Sequence, residues 1–460
     1  MGAASCSVFS KKPDAHHLLP EVEVDEVQQH AEYVASRFEE RARDRDAELR
    51  DRARMEVDKA REVVRSDKRR SLASVGKSDV MVAVLPEVAN LGPRAKVAIT
   101  GCAAYGAEKF GTKKEKAILG MSCADHMSDD HGVAISSAAG NVPSFIRPNQ
   151  DDFCFVVTTD GYHVAGIFDG HGRDGHRVAA VARERMLQSV LRHLPTDTKD
   201  AKHTEVMECL AASFVSVQKE LASWEEDDLD VSFSGVAVCM LVFNVKRKVL
   251  YTSWAGNVRC VVAEIQEIEE VMENVVIPDN VPGATPGSPS GSHSPPGSLK
   301  AGKSNRRKKT KKVMVPVALT TDHTTKSRLE RARIEKKDVK LVLGSSGALD
   351  IFAPNEQWPG IPLTRCLGNL IAQQVGIQAV PEVGHRVMVK SPETKFAVIA
   401  SDGVWDVMNE LEVLTLIESA KRDNLQFGID QVVQRAQELW KRRPEQHGVV
   451  DDISVCVLWF

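Results

Sequence analysis

The chain has 460 residues, 42% of them hydrophobic and 27% charged, and a formal net charge of −4. That length and balance allow a sizeable core in one large domain with extensions, or two to three average domains. A total so near neutrality excludes capture of nucleic acid by bulk positive charge, so no nucleic-acid partner is expected and electrostatic recognition has to be local. Nine cysteines, including Cys6, Cys154, Cys239 and Cys456, show no Cys-x-x-Cys spacing. They read as reduced intracellular thiols rather than a disulfide framework or zinc site. No apolar run reaches the ~18 residues of a membrane-spanning helix, and no signal-peptide pattern is present.

In chain order, residues 1–20 come first, opening Met1-Gly-Ala-Ala-Ser-Cys6 with Lys11 and Lys12 behind. Loss of Met1 exposes Gly2 as an acceptor for myristate, although Cys6 stands where the pattern wants Ser or Thr. Similarity to known acylated N-termini implies that a small Cys is tolerated and that Cys6 can itself carry palmitate. One acyl chain holds a membrane marginally; two, or one with basic residues, hold it stably. The plainer reading is a disordered start. Residues 21–70 are dense in Glu, Asp and Arg, with a thin apolar stripe at Val27, Ala31, Val34, Phe38, Ala42, Leu49, Ala53, Ala60 and Val64. Such spacing predicts a helix. Arg45 interrupts the heptad, so either a coiled coil or a single helix held by i,i+4 ion pairs fits, and self-association stays open. In the second case it is a spacer; residues 71–94 follow as a linker.

From residue 95 onward the composition is globular. Strands are predicted at Phe153–Thr159, Tyr162–Phe168, Gly235–Phe243, Val249–Trp254, Val258–Ile265, Val313–Leu319, Phe396–Ala400 and Ile453–Trp459. Helices are predicted at Gly175–Leu194, Thr204–Trp224, Glu410–Ala420 and Ile429–Lys441. Elements come in blocks rather than strict alternation, which argues for an α+β class with antiparallel sheets covered by helices. Residues 278–312 interrupt this pattern: Pro, Gly and Ser first, then Lys300 to Lys312 rich in Lys and Arg. The segment reads as a disordered surface insertion, with Thr285, Ser288 and Ser294 before prolines as phosphorylation candidates. Its basic cluster suits anionic lipid, a nuclear import receptor or plain solvation.

Acidic residues recur at strand ends. Gly166-Ile-Phe-Asp-Gly-His-Gly172 delivers Asp169 to the end of an apolar strand, before a turn made flexible by two glycines. A carboxylate so placed can bridge two cations, and the Gly170 carbonyl can add a ligand because no side chain blocks it. Alone, Asp-Gly is a turn dipeptide. Asp402 ends Phe396-Ala-Val-Ile-Ala-Ser-Asp, Asp451 and Asp452 precede Ile453, and Asp151 and Asp152 precede Phe153. Four such clusters, without Cys or His at zinc spacing, suit hard cations bound by carboxylate and water.

These segments resemble the metal-dependent, type 2C serine/threonine protein phosphatases, in forms similar to plant and protist branches. The order agrees through Arg147 with its acidic pair, Asp169-Gly-His-Gly172, Ser234-Gly235, Ala255-Gly-Asn-Val-Arg259, Leu319-Thr-Thr-Asp-His323 and Glu330-Arg-Ala-Arg-Ile334. It continues through Pro359-Gly…Leu367-Gly368, Pro381-Glu-Val383, Ala400-Ser-Asp-Gly-Val-Trp-Asp406 and Asp451-Asp-Ile-Ser-Val455. The resemblance covers about Val97 to Phe460 and makes 95–460 a catalytic domain. It implies a central antiparallel β-sandwich flanked by helices in four layers, α-β-β-α, with metals in a channel at one edge.

It further implies Mn2+ or Mg2+, two ions per site. Asp169 would bridge both, Gly170 would ligate one through its carbonyl, and Asp402 and Asp451 would hold the other. The acidic pair is either Gln150 with Asp151 or Asp151 with Asp152, and the first register moves Arg147 one residue off its place. Arg147 would bind the substrate phosphate as a planar guanidinium. His171 resembles the general acid for the leaving seryl or threonyl oxygen; otherwise it is a solvent-exposed turn histidine. The reaction implied is hydrolysis of phosphoserine and phosphothreonine on proteins by a metal-activated water.

Three departures weigh on activity. Asn257 stands where the family has an Asp that helps hold a third, weaker metal, Asn369 stands where Leu-Gly-Asp is usual, and Val236-Ala237 follow Ser234-Gly235 in place of Ser-Thr. The third site is therefore doubtful and activity weakened. The competing expectation is a pseudophosphatase that binds phosphoproteins or scaffolds partners through the long helix. Location is expected to be intracellular, at a membrane through Gly2 and Cys6, or else cytoplasmic or nuclear.

Overall fold

The computed structural model describes residues 94–100, 117–119, 132–141, 148–224, 229–271, 308–344, 346–389, 393–420, 422–443 and 449–460. Gly2, Cys6, the charged segment 21–70 and Arg147 lie outside them.

The first sheet is built from β1 (Ala95–Thr100), β2 (Ala117–Leu119), β4 (Asp151–Thr158), β5 (Tyr162–His171), β6 (Gly235–Asn244), β7 (Val249–Ala255), β13 (Leu367–Gly368) and β14 (Glu382–Val387). Its order is β14-β7-β6-β5-β4-β1-β2, with β13 pairing β6 beside that path. The second sheet runs β3 (Val133–Ala138), β16 (Ile453–Trp459), β15 (Glu393–Ala400), β8 (Arg259–Val271) and β9 (Lys308–Ala318) in that spatial order. A small sheet of β10 (Lys340–Leu343), β11 (Leu349–Phe352) and β12 (Pro359–Ile361) stands apart. Every strand-to-strand pairing among these is antiparallel.

Alternation along each strand generates the layers, because successive side chains leave a strand on opposite faces. In β6, Ala237, Cys239, Leu241 and Phe243 join Phe153, Phe155 and Ile167 in a core shared with Cys260, Val262, Ala397, Ile399, Cys456 and Leu458 of the second sheet. The other face of β6, at Val236, Val238, Met240 and Val242, packs on α1 (Gly175–His193) and α2 (His203–Ala222). Those helices return Val178, Ala182, Met186, Val206, Leu210 and Phe214 at helical spacing. On the far side, Val398, Val455 and Val457 meet α5 (Asp402–Trp405), α6 (Glu410–Ala420) and α7 (Leu425–Lys441) through Val404, Leu414, Ile429, Val432 and Trp440. The result is α+β, two antiparallel sheets face to face with helices outside each. Each fully buried large apolar side chain contributes about 1.5–3 kcal/mol, so the three clusters hold the sheets in one register.

Two boundaries differ from expectation. Lys308–Lys312 belong to β9 and not to a disordered insertion. The reason is β8, which continues to Val271 and pairs with β9 back to Lys308, setting Glu267 opposite Lys312. Opposite charges facing across a ladder favour pairing, and Lys312 Nζ lies 3.9 Å from Glu267 Oε1. In addition, β5 runs past Phe168 to His171, because Asp169, Gly170 and His171 each pair with β6. Asp169 is thus held in a ladder, and the turn begins after it. Among the described residues no helix is long and apolar enough to cross a membrane.

Candidate metal centre and active site

The site forms where the ends of the two sheets meet. β4 and β5 are neighbours, and their register sets Asp151 directly opposite Asp169. In the other sheet the end of β15 lies beside the start of β16, with Ala400 opposite Val455. The Ser401 N–H donates to the Ser454 carbonyl at 3.0 Å, and the Ser454 N–H donates to Ser401 Oγ at 3.0 Å. That crossing carries Asp402, the first residue of α5, and Asp451, two residues ahead of β16. Ser401 then donates its hydroxyl to Asp151 Oδ2 at 2.8 Å, tying one sheet's carboxylate to the other sheet.

Electrostatics report the convergence. Burial pushes Asp169 well above the usual carboxylate range, and the charges of Asp402, Asp151 and Asp451 push it further. Burial likewise raises Asp402, with Asp451, Asp406 and Asp151 adding to it. Asp151 is pushed up to about 8 by burial and then by Asp452, against hydrogen bonds from Ser401 and Ser454 that pull it down. Carboxylates this close in a water-poor site cannot all ionise unless a cation joins them. Asp169 and Asp402 share a hydrogen bond, while Asp169 Oδ2 is buried with no partner at all. At Gly170 an added Cβ would come within 2.3 Å of the Gly175 carbonyl oxygen and 2.6 Å of that of Gln150, so only glycine fits. An orphaned buried carboxylate oxygen among repelling carboxylates is the donor set of hard divalent cations. The residues fit such ions.

A second group of ligand-type atoms, on His323, Glu330 and Glu382, lies within 4.8 Å of one another. It is already charge-balanced. Glu330 Oε1 takes Arg365 Nη2 at 2.6 Å, and Glu330 Oε2 takes Arg333 Nη2 at 2.8 Å and the Thr364 hydroxyl at 2.7 Å. A dication there would add two buried positive charges beside two guanidiniums. This network is structural.

Asp152 corrects the sequence expectation that it joins the cation set. Strand alternation turns it to the face opposite Asp151, where it is buried and bonded to Arg183 Nε of α1 at 2.8 Å. The geometry therefore selects the register of Gln150 with Asp151. Gln150 is buried, donates its side-chain amide to the Gly172 carbonyl at 2.6 Å, and accepts the Gly170 N–H at 3.1 Å.

His171 is half-buried at the end of β5, and burial lowers its pKa to about 4, so the ring is neutral at pH 7. Asn369 Nδ2 lies 3.3 Å from His171 Nε2; with the amide placed as donor, the ring proton sits on Nδ1.

Three contributions escaped the sequence reading, two of them made by residues it had named, Asp452 and Asn257. Asp406 raises Asp402 electrostatically and is itself raised, chiefly by burial. Its signal was the i,i+4 spacing from Asp402, which sets both on one face of a helical turn. Asp452 accepts the Gly140 N–H at 2.6 Å and the Gln150 N–H at 2.9 Å, bracing the loops that enter β4 and β16. Asn257 donates to Asp402 Oδ2 at 2.7 Å, a contact between turns 145 residues apart with no local signal.

Residues 304–439 match the family profile of protein phosphatase 2C. The chain is 29% identical over 319 residues to "Probable protein phosphatase 2C 72" of Arabidopsis thaliana, covering 68% of this chain and 81% of that one. The chain is similar to the protein phosphatase 2C family. A rice relative (Oryza sativa subsp. japonica), "Probable protein phosphatase 2C 48", is 26% identical over 333 residues, covering 68% of this chain and 80% of its own. The crystal structure of a serine-threonine phosphatase 2C from Toxoplasma gondii aligns at a TM-score of 0.49 and 16% identity over 71% of this chain and 94% of that one.

Proposed function

We propose that this protein hydrolyses phosphoserine and phosphothreonine on proteins with two divalent cations, manganese or magnesium, bound at the aspartate cluster. The observation that carries the reading is the convergence of buried Asp151 and half-buried Asp169, Asp402 and Asp451 from two sheets onto one site, where their charges act on one another. Asp151, Asp169, Asp402 and Asp451, with the Gly170 carbonyl, would hold the cations. Cations bound there neutralise the phosphate dianion and acidify the water that attacks it.

The chain's own groups do the rest. His171, neutral when the site is empty, gains basicity beside a phosphate dianion and then has a proton for the leaving seryl or threonyl oxygen. Asn369 fixes which ring nitrogen faces outward. The pair of Asp152 with Arg183 anchors β4 on α1, so that Asp151 stays opposite Asp169. Arg147 stands one residue off the family's place in the register of Gln150 with Asp151, so its proposal as the phosphate-binding guanidinium rests only on its planar, two-pronged chemistry.

A second reading, a phosphoprotein-binding protein with little or no turnover, is favoured by Asn257, whose amide occupies an Asp402 oxygen that would otherwise serve a cation. Purified full-length protein assayed on a phosphoserine peptide with manganese separates the two. Turnover is expected, and is lost in chelator and in Asp169→Ala; turnover that survives both rejects the metal assignment. Cation binding by calorimetry without turnover selects the second reading. Acylation at Gly2 and Cys6 belongs to the same proposal, supported by sequence alone. Gly2→Ala is expected to move the protein from the membrane to the soluble fraction of cells, and an unchanged distribution rejects it.

A further inference from the structure

Phe233 is 47% exposed, although the backbone that carries it is firmly held. Its N–H donates to Asp230 Oδ1 at 3.1 Å, and the Asp230 N–H donates to Asp174 Oδ2 at 2.9 Å. Ser232 accepts the Ile371 N–H at 3.2 Å; Ser234 accepts the Asn369 N–H at 2.7 Å on its carbonyl and the Asp174 N–H at 2.9 Å on its hydroxyl. The Phe233 carbonyl lies so close to Gly172 that a Cβ there would approach to 2.4 Å, and Gly172 has a φ of +88°. Two residues on, a Cβ at Gly235 would stand 2.7 Å from His171 Nε2. An exposed ring therefore stands on a firmly held loop beside the histidine at the rim of the aspartate cluster.

The loop needs no reordering when something covers the ring, so the apolar area lost to water is offset by the ordering of one side chain only. The occupant follows from reach. A phosphoseryl side chain is short, so a substrate whose phosphate enters the cluster lays its backbone against the His171 rim. Its neighbouring residues then follow at ~3.8 Å per Cα step.

We propose that Phe233 is a specificity-determining residue, its ring covering an aliphatic side chain next to the phosphorylated residue of the substrate peptide. The inference rests on the phosphatase reading. It makes this protein selective among phosphopeptides by an apolar contact rather than by charge.

The test uses two phosphoserine peptides, identical but for Leu or Gly on both sides of the phosphoserine, and the full chain with manganese. kcat/KM is expected to favour the Leu peptide by about fivefold to tenfold, the scale of one aliphatic contact. In Phe233→Ala the ratio collapses towards one, and in Phe233→Leu it is largely kept. A wild-type ratio near one overturns the proposal. So does a ratio that persists in Phe233→Ala, since both peptides then fall together and the residue merely supports the site. Fluorescence anisotropy of the labelled peptides keeps the two readings apart. If no peptide is turned over, the phosphatase reading fails, and the Leu-over-Gly difference in affinity, lost in Phe233→Ala or absent throughout, decides the role of Phe233.

Discussion

Asp151→Asn should make the chelated protein more stable and the manganese-loaded protein less stable than the wild type. Asp151 is pushed from 3.8 to about 8, so ionising it in the empty fold is unfavourable. At 1.36 kcal/mol per pH unit between 3.8 and ambient pH, that charge costs about 4 kcal/mol at pH 7 and about 2 kcal/mol at pH 5. The sign follows from a raised acidic pKa. The stabilising contribution is complete below 3.8 and is lost as pH climbs towards about 8, so the gap between variant and wild type widens from pH 5 to pH 7. Asparagine keeps an acceptor for the Ser401 hydroxyl, but its new N–H needs a partner, so about half the gain should survive. At ~2 °C per kcal/mol for a domain of this size, Tm in chelator should rise by about 4 °C at pH 7 and by about half that at pH 5. Manganese at ~100 times its Kd adds about 2.7 kcal/mol to the wild type and much less to the variant, which reverses the order. Differential scanning calorimetry at both pH values, with and without metal, reads all four states. A variant that melts below the wild type in chelator, or that responds to manganese as fully, would refute the account of the cluster.

Asp152→Asn gives the complementary pattern. It takes the charged partner from the buried guanidinium of Arg183, so it should cost a few kcal/mol, up to about 3–5, yet retain the manganese-induced shift in Tm; losing that shift would return Asp152 to the cation set. Glu330→Gln should cost a similar amount at pH 7 by thermal denaturation. Burial pushes Glu330 up, but the hydrogen bond and charge of Arg365, with Arg333, outweigh it and hold it well below the usual carboxylate range. Its contribution is present above 4.5 and fades as pH falls further, so wild type and variant should converge in acid. Asn257→Asp replaces a donor with a fifth carboxylate beside Asp402. Tm in chelator should fall by a few degrees, and calorimetric titration should show tighter or additional manganese binding, with activity gained at low metal; unchanged titration would mean this position does not touch cation affinity.

The legible parts of the fold were those written in local periodicity. The strands through Phe155, Val238, Val262 and Val457 and the helices around Met186 and Phe214 bury both faces or one clean stripe, and their patterns stand out. β14 did not, because an edge strand reading Glu-Val-Gly-His-Arg-Val is half-exposed along most of its length. β9 was cut short because Lys308–Lys312 make sense only against a strand far back in sequence. In the site, Asp169 and Asp402 were visible as carboxylates closing apolar strands. The choice between Gln150 and Asp152 was invisible, since it depends on which face of β4 looks at the helices. Asn257 and Asp402 meet only through the fold, and local sequence holds no trace of such a pair.

Asp151 and Asp169 ride on one sheet, and Asp402 and Asp451 on the other. Cations held there as proposed would therefore rivet the two sheets together at this end of the sandwich. Loading the site should then quieten motions well away from it. Amide exchange at the ends of β4, β5, β15 and β16 should slow together, and chemistry and mechanical stiffness at that edge become one property.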